Sequence, residues 1–231
     1  METYFSFLIL AISFTLALAT VDSAGSFEEP LVFRFLFMSS KGDRMGNIHE
    51  FTFGFSPYVG ANRGVLEYRG IVSLMQDESN AVLLLKEQRM ALRLRNLNLP
   101  HWRKFLGPAA NFFNMSTPLR LSGEAKRQGQ RVGQVSYLGF LCDIYLVGSR
   151  DSTTVTWITK IGSEEMELLN VLTQHESSGN LLTMTVAVEV LQGDEVPEYY
   201  LKVPDGYQII DVDGPDILES LYMGSEASQE A

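Results

Sequence analysis

Apolar residues recur at every second position through most of the chain, and that period of two predicts extended strands with one buried face. The clearest run puts Leu182, Met184, Val186, Val188 and Val190 on one side and Thr183, Thr185, Ala187 and Glu189 on the other. This is the pattern of a half-buried antiparallel strand. Shorter alternations fall at Phe51, Phe53 and Phe55, at Leu66, Tyr68, Val72 and Leu74, and at Leu138, Phe140, Cys142, Ile144 and Leu146. Residues 31–38 and 81–85 are apolar on both sides, which predicts strands in the middle of a sheet. Turn-forming clusters punctuate the runs at residues 60–64, 77–80, 177–180 and 204–206, and their spacing predicts meandering hairpins. Residues 163–176 read as the first arm of a long hairpin, although Glu, Met and Leu there also suit a helix. Two helices are expected, at residues 99–113 with a break at Gly107-Pro108, and after Gly214, where Pro215 suits a first helical position. The chain is therefore read as mainly β with a few short helices.

The start of the chain changes this picture. Residues 4–19 are an unbroken run of apolar and hydroxyl side chains, shorter than the roughly 20 residues of a membrane-spanning helix. The run ends in Ala17-Leu18-Ala19, a small-x-small cleavage pattern, with a second candidate site after Ala24. The expectation is a signal peptide at residues 1–24, a β domain over residues 25–223 and a polar tail at residues 224–231. The mature chain would then have no membrane span and would work outside the cell, in the secretory lumen, or in the periplasm of a bacterium. Met1-Glu2-Thr3 carries no basic side chain, which favours a eukaryotic source. In such a source Asn114-Met115-Ser116 is a glycosylation sequon, with Asn114 the acceptor.

A net charge of −10 argues against a nucleic-acid partner. The charge is unevenly spread. Residues 86–131 hold ten Lys or Arg against Glu87 and Glu124, whereas residues 132–231 hold three basic and seventeen acidic side chains. The basic stretch is a candidate surface for a protein partner, unless cross-strand pairing neutralises it. Within it, Trp102 to Leu106 is a possible lid or membrane-touching element beside Arg103 and Lys104.

Candidate chemistry is sparse. His49, His101 and His175 sit in separate segments, and no metal-binding spacing, nucleophile elbow or phosphate loop is present. Asp211, Asp213, Asp216 and Glu219 fail the calcium-loop pattern, because Pro215 stands where a ligand belongs. Cys142 is the single cysteine, so no intramolecular disulfide forms, and its place in an alternating run reads as a small buried hydrophobe. These features predict a non-enzymatic protein with no cofactor and no metal.

The order of motifs in the second half is distinctive. Gly133-Gln134-Val135 is followed by Gly139-Phe140-Leu141-Cys142-Asp143-Ile144-Tyr145, then Trp157-Ile158, then the strand 182–190, then a closing segment from Val196-Pro197-Glu198-Tyr199-Tyr200 to Pro204-Asp205-Gly206-Tyr207. This succession resembles LolA-like domains. Upstream, Tyr58-Val59-Gly60-Ala61-Asn62-Arg63-Gly64-Val65-Leu66-Glu67-Tyr68 and Gln76-Asp77 resemble a hairpin of the eukaryotic secreted members, closer to them than to the bacterial carriers. Ser56-Pro57 departs from the acidic residue expected there, and the lone Cys142 departs from their paired cysteines. The resemblance covers about residues 31–211. It implies an incomplete antiparallel β-barrel, a half-barrel whose concave face is covered by short helices and encloses an apolar cavity. A lipid or other apolar molecule is the ligand that such a cavity implies. Candidate lining residues are Phe51, Phe53, Phe55, Tyr68, Trp102, Phe105, Trp157, Met184 and Val186. The alternative is an extracellular protein-protein interaction module with a filled core and no ligand.

Overall fold

The doubly apolar segment at residues 31–38 lies at the middle of the sheet because both of its faces find cover. In the computed structural model, described over residues 29–41, 44–46, 48–58, 61–68, 71–75, 80–95, 126–161, 164–174 and 180–214, it forms strand β1 (Leu31–Lys41). Two meanders flank it. One runs outward through β3 (His49–Tyr58), β4 (Ala61–Tyr68), β5 (Ile71–Met75), β6 (Ala81–Leu85) and β7 (Met90–Leu94). The other starts at the far edge with β8 (Gln130–Tyr137) and returns through β9 (Phe140–Gly148), β10 (Ser152–Ile161) and β11 (Glu164–Gln174) to β12 (Leu181–Gln192), which pairs with β1. A two-residue strand, β2 (Arg44–Met45), adds to the end of β1.

The last segment crosses the sheet. From β12 the chain passes through two 3-10 turns, Gly193–Glu195 and Glu198–Tyr200, and reaches β13 (Gln208–Val212), which pairs in parallel with β7 at the opposite edge. The strand order is therefore β13-β7-β6-β5-β4-β3-β1-β12-β11-β10-β9-β8, an open, mostly antiparallel sheet that does not close into a barrel. The expected half-barrel and the meandering hairpins are both present. Helix is scarce among the described residues, with one short turn at residues 126–128 besides the 3-10 turns. The helices expected at residues 99–113 and after Gly214 lie outside the described residues.

Alternation along β1 and β6 sorts side chains into two cores. Phe33 and Leu83 join one cluster with Phe35, Phe53, Leu92, Leu94, Cys142 and Met166. Val32, Val82 and Leu84 join the other, which the crossing segment covers with Val196 and Tyr200. Both faces are thus buried over Leu31–Phe33 of β1 and Ala81–Leu84 of β6, in the segments that are apolar on both sides.

The C-terminal meander is irregular where the first is regular. Register shifts leave Val188 unmatched between β1 and β12, Leu168 between β10 and β11, and Val132 between β8 and β9. Such bulges bend and twist a sheet. The bend is large enough that the Phe33 and Phe140 rings lie 5.6 Å apart although β1 and β9 are not neighbours. The Tyr137 hydroxyl closes the same gap by donating to the Ala187 carbonyl at 2.6 Å.

Three local expectations are corrected. The run Leu182 to Val190 is not one unbroken face, because the bulge at Val188 interrupts its period. Leu138 does not belong to a strand. Leu138 and Gly139 form the two-residue turn between β8 and β9 with φ of 50° and 83°, the double positive φ of the hairpin turn that fits the twist of its strands. The turn expected at residues 60–64 is shorter, since Ala61 to Gly64 already pair with Tyr58 to Phe55.

One glycine is dictated by packing. At Gly54, opposite Val32, an added Cβ would lie 2.3 Å from the Leu31 carbonyl oxygen and 2.6 Å from the Val32 Cα. Both atoms are backbone and cannot swing aside. Gly54→Ala should therefore destabilise the chain by about 1–3 kcal/mol or more in urea unfolding, whereas Gly148→Ala, with open space around it, should stay within about 0.5 kcal/mol of wild type.

Candidate functional site

The curled face gathers the aromatic residues. Phe35 stacks on Phe51 with centroids 5.1 Å apart, and Phe33 sits 6.2 Å from Phe35. Trp157 meets Tyr137 edge-on at 5.3 Å. Phe33, Phe35 and Phe53 are fully buried, while Phe51, Tyr137, Phe140 and Trp157 are partly buried around them. Of the residues predicted to line an apolar cavity, this cluster brings together Phe51, Phe53 and Trp157. Met184 and Val186 are half-buried and pair with Met38 and Leu36 across the β1–β12 ladder, outside the described clusters. Phe55 and Tyr68 lie on β3 and β4 opposite Gly64 and Phe51, with side chains outside the described set. Trp102, Phe105 and Asn114 lie outside the described residues, as do residues 1–28 and the tail.

Cys142 is buried in the same cluster, and its thiol donates to the Phe140 carbonyl. Burial pushes that thiol above its ordinary value, with a Thr159 hydrogen bond opposing. A protonated, inaccessible thiol is a poor nucleophile. Among the described residues no three His, Cys, Asp or Glu side chains come together as a metal site. Nor is any described helix long and apolar enough to cross a membrane.

The opposite face carries polar groups that sequence reasoning missed. The crossing segment leans over β1, β3, β4 and β12 and leaves a cleft of about 500 Å³. At one end, Lys86 Nζ donates to Glu67 Oε1 at 2.7 Å and lies 4.3 Å from the Tyr199 ring centroid. The Tyr200 hydroxyl donates to the other oxygen, Glu67 Oε2. Burial alone would pull the Lys86 ammonium down, but the hydrogen bond and charge of Glu67 outweigh it and the net displacement is upward. Burial, reinforced by Glu67, also pushes the Tyr200 phenol well up, so it stays a donor. At the other end Arg34 lies 3.1 Å from Glu189 and 3.7 Å from Glu50. Glu67 and Tyr200 are 133 residues apart, and no local pattern could have joined them.

Five basic side chains of residues 86–131, Lys86, Arg93, Arg95, Lys126 and Arg131, pair with carboxylates among the described residues. Arg93 and Arg95 both bind Asp211 on the neighbouring β13, Lys126 pairs with Glu165, and Arg131 pairs with Asp143. Arg131 and Gln134 together hold the Asp143 carboxyl below its ordinary range.

Glu167 is the anomaly. It is nearly completely buried beside the bulge at Leu168; Oε2 accepts from Asn170 at 2.9 Å, and Oε1 has no partner. Burial pushes its carboxyl up to about 7 from an ordinary 4.5, with the hydrogen bond from Asn170 opposing, while the Thr156 hydroxyl beside it donates to the Leu169 carbonyl. Folding thus strengthens proton binding here. The resulting stability is fully present below pH 4.5 and is lost as pH rises through about 7, a change of about 3 kcal/mol. Glu167→Gln should flatten the difference in unfolding free energy between pH 5 and pH 8 and stabilise the chain at pH 8. Urea titrations at the two pH values check this, and an unchanged slope would contradict it.

The Tyr200 hydroxyl is a simpler case. Tyr200→Phe leaves one buried oxygen of Glu67 without its donor and should cost about 1–3 kcal/mol, read as a lowered urea midpoint at pH 7.

No family model matches the chain, and no curated protein matches it in sequence. Similar solved structures include an uncharacterised conserved protein from Thermus thermophilus at 9% identity and TM-score 0.38, covering 85% of this chain and 97% of that one. A putative outer membrane lipoprotein-sorting protein domain from Vibrio parahaemolyticus is similar at 10% identity and TM-score 0.32, over 74% of this chain and 88% of that one. A LolA superfamily protein from Nitrosomonas europaea is similar at 10% identity and TM-score 0.27, over 83% and 97% of the two chains.

Proposed function

We propose that this chain is a non-enzymatic binding protein of the secretory lumen, extracellular space or periplasm, which takes a lipid or other apolar ligand against the curled aromatic face of its sheet. The observation that carries the proposal is the approach of Phe140 to Phe33 across the bend, which turns one face of an open sheet into an apolar trough. Phe51, Tyr137, Phe140 and Trp157 are only partly buried along it. An acyl chain entering such a trough gains about 0.8 kcal/mol per buried methylene, so affinity needs no polar motif.

One observation favours the second reading, a filled core that serves a protein-binding module. Phe33, Phe35 and Phe53 are at 0% exposure, so the deepest part of the trough is already packed. A ligand must then lie along the partly buried rim.

Trp157 reports on that rim. In a Trp102→Phe variant it is the single tryptophan, and a stearate brominated along its chain should quench its fluorescence saturably after delipidation. Phe140→Glu should weaken that quenching at least tenfold. Absence of saturable quenching, together with a native mass spectrum showing only unliganded protein, would replace the lipid reading with the filled-core one.

A further inference from the structure

The cleft on the other face of the sheet has a chemistry of its own. It is walled by the crossing segment and floored by Val32 and Leu191, with Pro197 on the wall and Ile48 exposed at the rim. Its volume of about 500 Å³ suits a small molecule. The Glu67, Lys86 and Tyr200 end is internally satisfied, since both carboxylate oxygens accept hydrogen bonds and the ammonium has its counter-charge. The other end is not balanced. Glu50 and Glu189 share the single guanidinium of Arg34, each through one carboxylate oxygen.

We infer that this cleft binds a small organic cation with a short apolar stem, an alkylammonium, whose charge completes the Glu50–Arg34–Glu189 group and whose stem lies on Val32, Leu191 and Pro197. Among the described lining residues three carboxylates face the two fixed cations Arg34 and Lys86, with the His49 imidazole beside them, and the added ammonium supplies the missing charge. An anion would have to displace a carboxylate from Arg34 or Lys86. A neutral apolar ligand would cover charged groups without pairing them, which is costly. The net charge of −10 further raises the local concentration of cations around the chain. Phe51 borders both regions, but the floor of the cleft is distinct from the aromatic cluster, because Val32 and Phe33 belong to cores on opposite faces of β1.

The probe is n-butylammonium chloride, titrated into the full chain at low salt by calorimetry, with sodium butyrate and n-butanol as charge-reversed and neutral controls. The expected result is one saturable site for butylammonium, at least tenfold tighter than for either control and weakened by added salt. Glu50 and Glu189 are well exposed, so the Glu50→Gln/Glu189→Gln variant should keep its fold, as circular dichroism would verify. It leaves Arg34 as an unbalanced cation, so butylammonium affinity should fall at least tenfold and butyrate affinity should rise. No saturable butylammonium site, equal binding of butyrate or butanol, or a folded double variant with wild-type preference would each overturn the inference. Should the double variant unfold, Glu50→Gln alone keeps the Arg34–Glu189 pair and must still weaken butylammonium binding.

Discussion

The fold depends on one strand that can be buried on both faces. Strands β3 to β7 hang from one edge of β1 and strands β8 to β12 hang from the other. A strand in that position cannot present a conventional polar side, and over Leu31–Met38 β1 carries one polar residue, Arg34, whose charge Glu50 and Glu189 meet on the two neighbouring strands. Close contact with β3 in turn requires a residue without a side chain at Gly54. The tightest backbone approach among the described glycines is thus at the strand that joins the two halves.

Curvature is unequally distributed, and the inequality makes the two faces different. The ladders from β3 to β7 run without register shifts, whereas three ladders on the β12 side each carry an extra residue. Extra residues shorten pairing on one strand and bend the sheet, so the C-terminal meander folds toward β1 while the N-terminal one stays flatter. The meeting of the Phe33 and Phe140 rings follows from that bend. Two consequences of the bulges look out of place until their positions are noted. Val132 is exposed because it is the unmatched residue on an edge strand, and Glu167 is buried because the insertion of Leu168 changes which side chains face inward.

Much of this was legible in the sequence. Strand content, the two doubly apolar segments and the long hairpin of residues 164–192 follow from hydrophobic period and turn chemistry. The aromatic face was partly legible, since Phe51 and Phe53 carry an in-out alternation and the resemblance to LolA-like domains brought in Trp157. The bulges were not, because an extra residue leaves no compositional mark, and a period of two carried across Val188 or back to Leu138 assigns residues to the wrong place. The polar cleft was illegible for a different reason. Glu67 reads as a solvent-facing residue of β4, and only the return of the chain from β12 to β13 puts Tyr200 on top of it.

That return path links stability to the arrangement of the sites. Residues 193–207 could cross either face, and alternation in β12 decides which. Leu191 pairs with Val32 on the flatter side, so the chain leaves β12 toward that face and Tyr200 lands on the second cluster. A crossing segment with one turn buried and a neighbouring lysine at its flank cannot seal a sheet completely. Where Pro197 and Tyr199 stand away from the strands, the polar groups beneath them must pair with one another or remain open to solvent. Glu67 does the first with Lys86 and Tyr200; Glu50 and Glu189 do the second, exposed around Arg34. The same closing segment therefore fixes a core at one end and leaves an unbalanced charge at the other, while the bend on the far side of β1 gathers an aromatic cluster tied by the Tyr137 hydroxyl to the Ala187 carbonyl.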